Sequence, residues 1–236
     1  DNQKIIIPTP YSLKTLHEIH EVSNVLRQCI ESYATNITSG GFRVAPIQPD
    51  GAMDETERAT LQSFIDNANT EQTLRAVQHS NITRFEKYGF TYLEVVRDKR
   101  NRPSLLKAAK PASIRMSRRS DEEINIVVRV DRGGRRSRIV ERKRFRVYVE
   151  EIGTQKVYYK EFGDPRRLNY KTGAFETEAK PIPDELLATE LIHIKQESED
   201  PYGIPRWISM LPAIMGSRES EEVNLKYFED NTVPPM

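Results

Sequence analysis

The chain has 236 residues with 36 Lys and Arg against 35 Asp and Glu, so it is long enough to bury a core, and its near-neutral balance points to neither nucleic acid nor an anionic membrane. A single cysteine excludes an intrachain disulfide. No run approaches the ~18 apolar residues of a membrane span, and the opening DNQKIIIPTPYS lacks the order of a signal peptide, so the expectation is a soluble, intracellular protein.

IIIPTPY is apolar but broken by Pro8 and Pro10, which bias residues 1–11 towards an extended arm lying on something else. Ser12 then caps a helix whose apolar positions Leu13, Leu16, Ile19, Leu26, Ile30, Tyr33 and Ile37 recur at three and four up to Gly40 and Gly41. This pattern predicts one helix of about 25 residues, roughly 38 Å long, with Cys29 as a buried thiol. GFRVAPI reads as a short strand. A second helix is expected from Thr56 to about Ala68, and a third from about Thr70 to Tyr88 carrying Leu74, Val77, Ile82 and Phe85.

After Gly89 the period changes to two. FTYLEVVRD, LLKAAKPASIRMSRR, EINIVVRVDR, RKRFRVYVEE and QKVYYKEF read as strands, and LIHIKQ closes the series. The double glycine in DRGGRR predicts a hairpin joining INIVVRV to RIVERKRFRVYV. Pro205 suits the first turn of a final helix, with Asp200 and Gly203 forming the turn before it; Ile204, Ile208, Leu211 and Met215 make its apolar stripe, and Pro212 should kink it. The simplest architecture is one α+β domain over 12–236. Its N-terminal helices (12–88) pack on a mainly antiparallel β-rich region (89–196), closed by a long terminal helix (204–230).

The familiar catalytic patterns are missing. Neither Gly40 with Gly41 nor Gly133 with Gly134 has the lysine and strand-to-helix context of a phosphate loop. His17 and His20 sit one turn apart but lack a third ligand and read as solvated, and neither His79 nor His193 has a visible nucleophile partner. The expectation is no catalytic, cofactor or metal site. Basic residues are concentrated instead: Arg115, Arg118 and Arg119 form one cluster, and Arg132, Arg135, Arg136, Arg138, Arg142, Lys143, Arg144 and Arg146 another around the hairpin tip. That hairpin is a candidate contact for phosphates or for a neighbouring subunit. No aromatics interleave its arginines as single-strand stacking would require.

The last stretch, DPYGIPRWISMLPAIMGSRESEEVNLKYFEDNTVPPM, opens its helix on Tyr202, Gly203, Pro205, Arg206 and Trp207 and continues through Asn224, Tyr227, Phe228 and Asn231 to Pro234 and Pro235. It resembles the corresponding segment of tailed-bacteriophage portal proteins of the PBSX type. PTPYSLKTLHEIHEVSNVLRQCIESYATNITSGGF resembles that family's N-terminal arm and first helix, and ATELIHIKQESEDPYG its approach to the last helix. The resemblance implies a portal wing-type domain that stops before the stem, clip and crown. It also implies a homo-oligomeric ring of about twelve copies at one capsid vertex, through which double-stranded DNA is packaged and ejected. Partners implied with it are the terminase motor, capsid and scaffold proteins and the head-to-tail connector. The setting would be the virion, with assembly in the host cytoplasm and no membrane, enzymatic activity or cofactor. One alternative is a standalone nucleic-acid-binding module using the arginine-rich hairpin; another is a hydrolase dependent on His193.

Overall fold

The computed structural model of the chain describes residues 5–46, 54–132 and 135–229, with the side chains of 129–137, 228 and 229 outside that description. The expected long first helix is two: α1 (Leu13–Val22) and α2 (Asn24–Thr38). Ser23 interrupts them in an extended conformation (φ −95°, ψ 104°), and its hydroxyl caps α2 by accepting from the Leu26 N–H at 3.3 Å. A serine in the interior of an apolar repeat can serve the backbone as a cap, and here it does.

The buried stripe of α2 is Leu26, Ile30, Ala34 and Thr38 at strict four-residue spacing. Cys29, Tyr33 and Ile37 each lie one position off it and are exposed, which corrects the expectation of a buried thiol. His20 is buried, not solvated; burial and then the charge of Lys87 hold its imidazole below the ordinary value, while Glu21 beside it works the other way. GFRVAPI forms no strand among its described residues. The helix α3 (Glu55–Asn67) lies where expected, whereas α4 (Leu74–Tyr88) starts four residues later than the predicted one, capped by the Thr73 hydroxyl.

A six-stranded sheet follows, built from β1 (Phe90–Arg97), β2 (Pro103–Ala109), β3 (Ile114–Met116), β6 (Val147–Ile152), β7 (Gln155–Glu161) and β8 (Glu190–Lys195) in the order β2-β1-β8-β7-β6-β3. All neighbours are antiparallel except β7 and β8, so the sheet is mixed. That parallel pair needs a long connection, supplied by residues 162–189. This connection shields a satellite core of Val147, Leu168 and Ala188 with Tyr158, Tyr170 and Phe175. The remaining strands, β4 (Ile124–Arg132) and β5 (Arg135–Lys143), pair only with each other.

Alternation places Thr91 and Leu93 on the face that meets α4, where the Thr91 hydroxyl donates to Asn81 Oδ1 at 3.1 Å. Phe90 and Tyr92 point the other way into the main core with Ile114, Met116, Tyr148, Leu191 and Tyr202. The arm before α1 lies along β3: the Ile7 N–H donates to the Met116 carbonyl at 2.9 Å and the Arg118 N–H to the Ile5 carbonyl at 2.9 Å. The Tyr202 hydroxyl joins both, donating to the Ile7 carbonyl and accepting from the Met116 N–H. At the start of the interior strand β8, Glu190 is buried between Arg97 (2.8 Å) and Lys160 (3.2 Å), a carboxylate compensated on both sides.

His193, opposite Tyr92 in the β1–β8 register, packs among the rings of Phe90, Tyr92 and Tyr148, and its Nε2 has no hydrogen-bond partner. Burial first, then the charges of Arg146 and Lys195, lowers its pKa to about 4. The unfolded chain therefore takes up a proton near pH 6.5 that the folded chain refuses until about pH 4. The stability His193 contributes is full above pH 6.5 and is lost as pH falls through that window, by up to about 3 kcal/mol. In chemical denaturation between pH 7 and pH 4, His193→Phe should show a shallower loss of stability than the parent chain, and parallel curves would contradict this assignment.

Candidate assembly interface

Three features meet solvent in ways a self-sufficient globule has no use for. The first is the β4–β5 hairpin. Its strands of nine residues each reach about 30 Å, and a lone two-stranded ribbon is only marginally stable in water. Its register sets Arg129 opposite Arg138 and Arg132 opposite Arg135, and like charges in directly paired positions destabilise a ladder. On the outer face Val127 and Val140 pair directly and are 63% and 64% exposed.

The basic residues expected to act together on this hairpin differ in their surroundings. Arg138 is exposed and has no ion-pair partner among the described residues, while Arg142 stands 4.0 Å from Glu123. Arg144 pairs with Glu123 at 3.0 Å and Lys143 with Glu161 at 3.2 Å, so these two are largely engaged inside the chain. Arg132, Arg135 and Arg136 take their places in the ladder, and their side chains lie outside the described residues.

The second feature is the final helix. Residues 206–210 form a 3-10 turn that passes into α5 (Leu211–Glu229). Pro212 therefore falls in the first turn of α5, where its missing N–H costs nothing, and the change of helix type precedes it in place of a mid-helix kink. The motif residues Tyr202, Gly203, Pro205, Arg206 and Trp207 root this helix at the corner between α4 and β1. The Trp207 indole is 8% exposed, and its Nε1–H donates to the Glu86 carbonyl at 3.1 Å. Arg206 makes a two-pronged pair with the Glu86 carboxylate and lies over the Tyr33 ring at 4.9 Å.

Gly89 and Gly203, both at positive φ (80° and 92°), allow the two segments to touch. A Cβ on Gly203 would stand 2.5 Å from the Gly89 carbonyl oxygen, and one on Gly89 2.4 Å from the Ile204 carbonyl carbon. Beyond Ile214 the helix leaves the globule. Val223 and Leu225 are 66% and 57% exposed, Asn224 is exposed, and Tyr227 lies further along the same helix. The Phe228 side chain and Asn231, Pro234 and Pro235 lie outside the described residues.

The third feature was not foreseen from the sequence: an apolar groove of about 460 Å³ bounded by Tyr33, Ile37, Phe42, Leu74, Val77 and Leu93. Its exposed rim of Tyr33, Ile37 and Phe42 accounts for two of the three residues displaced from the buried stripe of α2, Cys29 being the third. Among the described residues no cluster of three or more His, Cys, Asp or Glu side chains could hold a metal ion, and no helix is long and apolar enough to cross a membrane.

Comparison with known proteins bears on what these surfaces do. No family model matches the chain. It is 32% identical over 239 residues to the phage-like element PBSX protein XkdE of Bacillus subtilis (strain 168), covering 98% of this chain and 47% of that protein. This chain is a relative of a phage-like element protein. It is also 34% identical over 233 residues to the uncharacterized protein YqbA of the same strain, covering 95% of this chain and 45% of that protein. The chain thus spans about half the length of these relatives.

Among solved structures it superposes on a chain in the neck of an empty gene transfer agent particle computed with C6 symmetry (TM-score 0.61, 13% identity, 98% of this chain and 50% of that one). A chain in the native particle's neck computed with C12 symmetry matches at TM-score 0.59 and 13% identity, covering 99% of this chain and 49% of that one. At such identities the likeness is one of fold. The mixed sheet with its closing helix is the fold of chains found in particle necks.

Replacing Trp207 by Ala should cost about 3–5 kcal/mol of folding stability, as expected for removing a buried aromatic that also satisfies a buried carbonyl. Urea denaturation measures it, and a loss under about 1 kcal/mol would contradict the rooting of α5 at this corner.

Proposed function

We propose that this chain is the wing-type part of a portal subunit, a structural protein of a phage or prophage particle whose work is assembly and DNA passage without catalysis. The observation that carries the reading is the fold match over nearly the whole chain to chains in particle necks of C6 and C12 symmetry, joined to homology with a PBSX phage-like element protein. Copies associate head to tail into a closed ring, a dodecamer by the resemblance set out above. Unlike patches that meet at a fixed rotation close such a ring when the rotation divides a full turn.

The chain supplies unlike patches in quantity: a basic hairpin, an acidic helix standing off the globule, and an apolar groove. In this reading double-stranded DNA is cargo, which weak, sequence-independent contacts serve better than tight ones. The terminase motor, capsid and scaffold proteins and head-to-tail connector are the further partners, at the portal vertex of the virion after assembly in the host cytoplasm.

Negative-stain electron microscopy of the full-length protein that carries this chain tests the proposal. Annular particles are expected, and a monodisperse monomer at micromolar concentration would overturn it. The lone arginine-rich hairpin favours one other reading, a nucleic-acid-binding module. Filter binding over a salt series separates the two, because sub-micromolar affinity of the monomer with a steep salt slope belongs to the module alone.

A further inference from the structure

We infer that the outer face of the β4–β5 hairpin docks on the free half of α5 of a second copy of this chain. The inference deepens the ring reading by naming one contact that would join neighbours. On β5 the face reads Arg138, Val140, Arg142 at two-residue spacing, with Val127 directly across from Val140. This is an apolar pair between cations, with the strand edges unpaired. On α5, Glu219 and exposed Val223 share a face one turn apart; Glu222 lies beside them but pairs with Arg218 at 3.2 Å, Lys226 follows on the same side, and Leu225 projects from the other. Glu219 has no ion-pair partner among the described residues. Unpaired Glu219 beside exposed Val223 therefore complements the hairpin's arginines and its paired valines.

The two surfaces are comparable in length, about 30 Å for the strands and about 22 Å for α5 beyond Ile214. No hydrogen bond or ion pair joins them within the described chain, where the charges flanking the hairpin meet Glu123 and Glu161. The paired valines favour a protein over a nucleic acid. Phosphates reward the arginines alone, whereas an apolar centre rimmed by charge is the anatomy of a protein interface. A hairpin of marginal stability gains a second layer from the helix, and the facing arginines of its ladder gain carboxylates.

Charge reversal tests this in the full-length protein. Arg138→Glu with Arg142→Glu, or Glu219→Arg with Glu222→Arg, should each weaken self-association measured by sedimentation by about tenfold or more, with circular dichroism unchanged. The two reversals combined should restore it to within about threefold of the parent. In a Cys29→Ser background, Val140→Cys mixed with Val223→Cys should cross-link through a short bismaleimide, giving a dimer on a denaturing gel even if a reversal variant folds poorly. Equal association of the parent and all three charge variants, or absence of the cross-link, overturns the docking. So does a hairpin reversal that lowers retention on DNA while leaving assembly intact. Rings without the cross-link would overturn this contact and leave the portal reading standing; the cross-link without closed rings would do the reverse.

Discussion

The close passage of two backbones at the α4–β1 corner holds the rest of the structure in place. Gly89 ends α4 in a left-handed conformation, its carbonyl accepts from the Gln196 N–H at 2.7 Å, and Gly203 passes over that same carbonyl with no room for a Cβ on either residue. Once the segments touch there, Trp207 reaches the Glu86 carbonyl, Arg206 reaches the Glu86 carboxylate, and Tyr202 reaches both β3 and the N-terminal arm. Four distant parts of the chain are thereby tied to one point: the arm, the helical layer, the sheet and the root of α5. A buried hydrogen-bonded indole and a two-pronged ion pair over an aromatic ring are stiff connections. The direction in which α5 leaves the domain is thus fixed by the core and not by the helix's own sequence.

This rigid root explains how one chain can hold stable and sociable parts together. Leu211 and Ile214 pack on the core, but the residues after them combine exposed Val223 and Leu225 with intrahelical pairs from Arg218 to Glu221 and Glu222. Such pairs stabilise an exposed helix by only a few tenths of a kcal/mol each. The distal half is held out at small cost, and a neighbour that meets it finds its direction already set by the root. The hairpin and the groove beside the root are further unsatisfied surfaces, which the proposed ring would put to use.

Much of this was legible residue by residue. Capping serines and threonines, the shift from helical to strand period at Gly89, the hairpin flanked by its arginines, and the turn before Trp207 all follow local rules that the fold obeys. The errors share one cause, a local pattern overridden by what it packs against. An apolar repeat through Ser23 reads as one helix until the serine's hydroxyl is needed as a cap. Tyr33 and Ile37 read as core until the groove that they rim is seen. Glu86 carried no signal at all, since a carboxylate near the end of a helix is ordinary until an arginine 120 residues later arrives on it. Likewise the facing of Gly89 and Gly203 is a contact in three dimensions that no spacing encodes.

The central claim is that α5 is anchored at its start and free along its length until a second copy covers it. Amide hydrogen exchange of the full-length protein, compared between dilute monomer and assembled particles, measures this directly. The account predicts slow exchange for residues 202–210 in both states, and for residues 216–229 fast exchange in the monomer that becomes slow on assembly. Equal and strong protection of both segments in the monomer would contradict it.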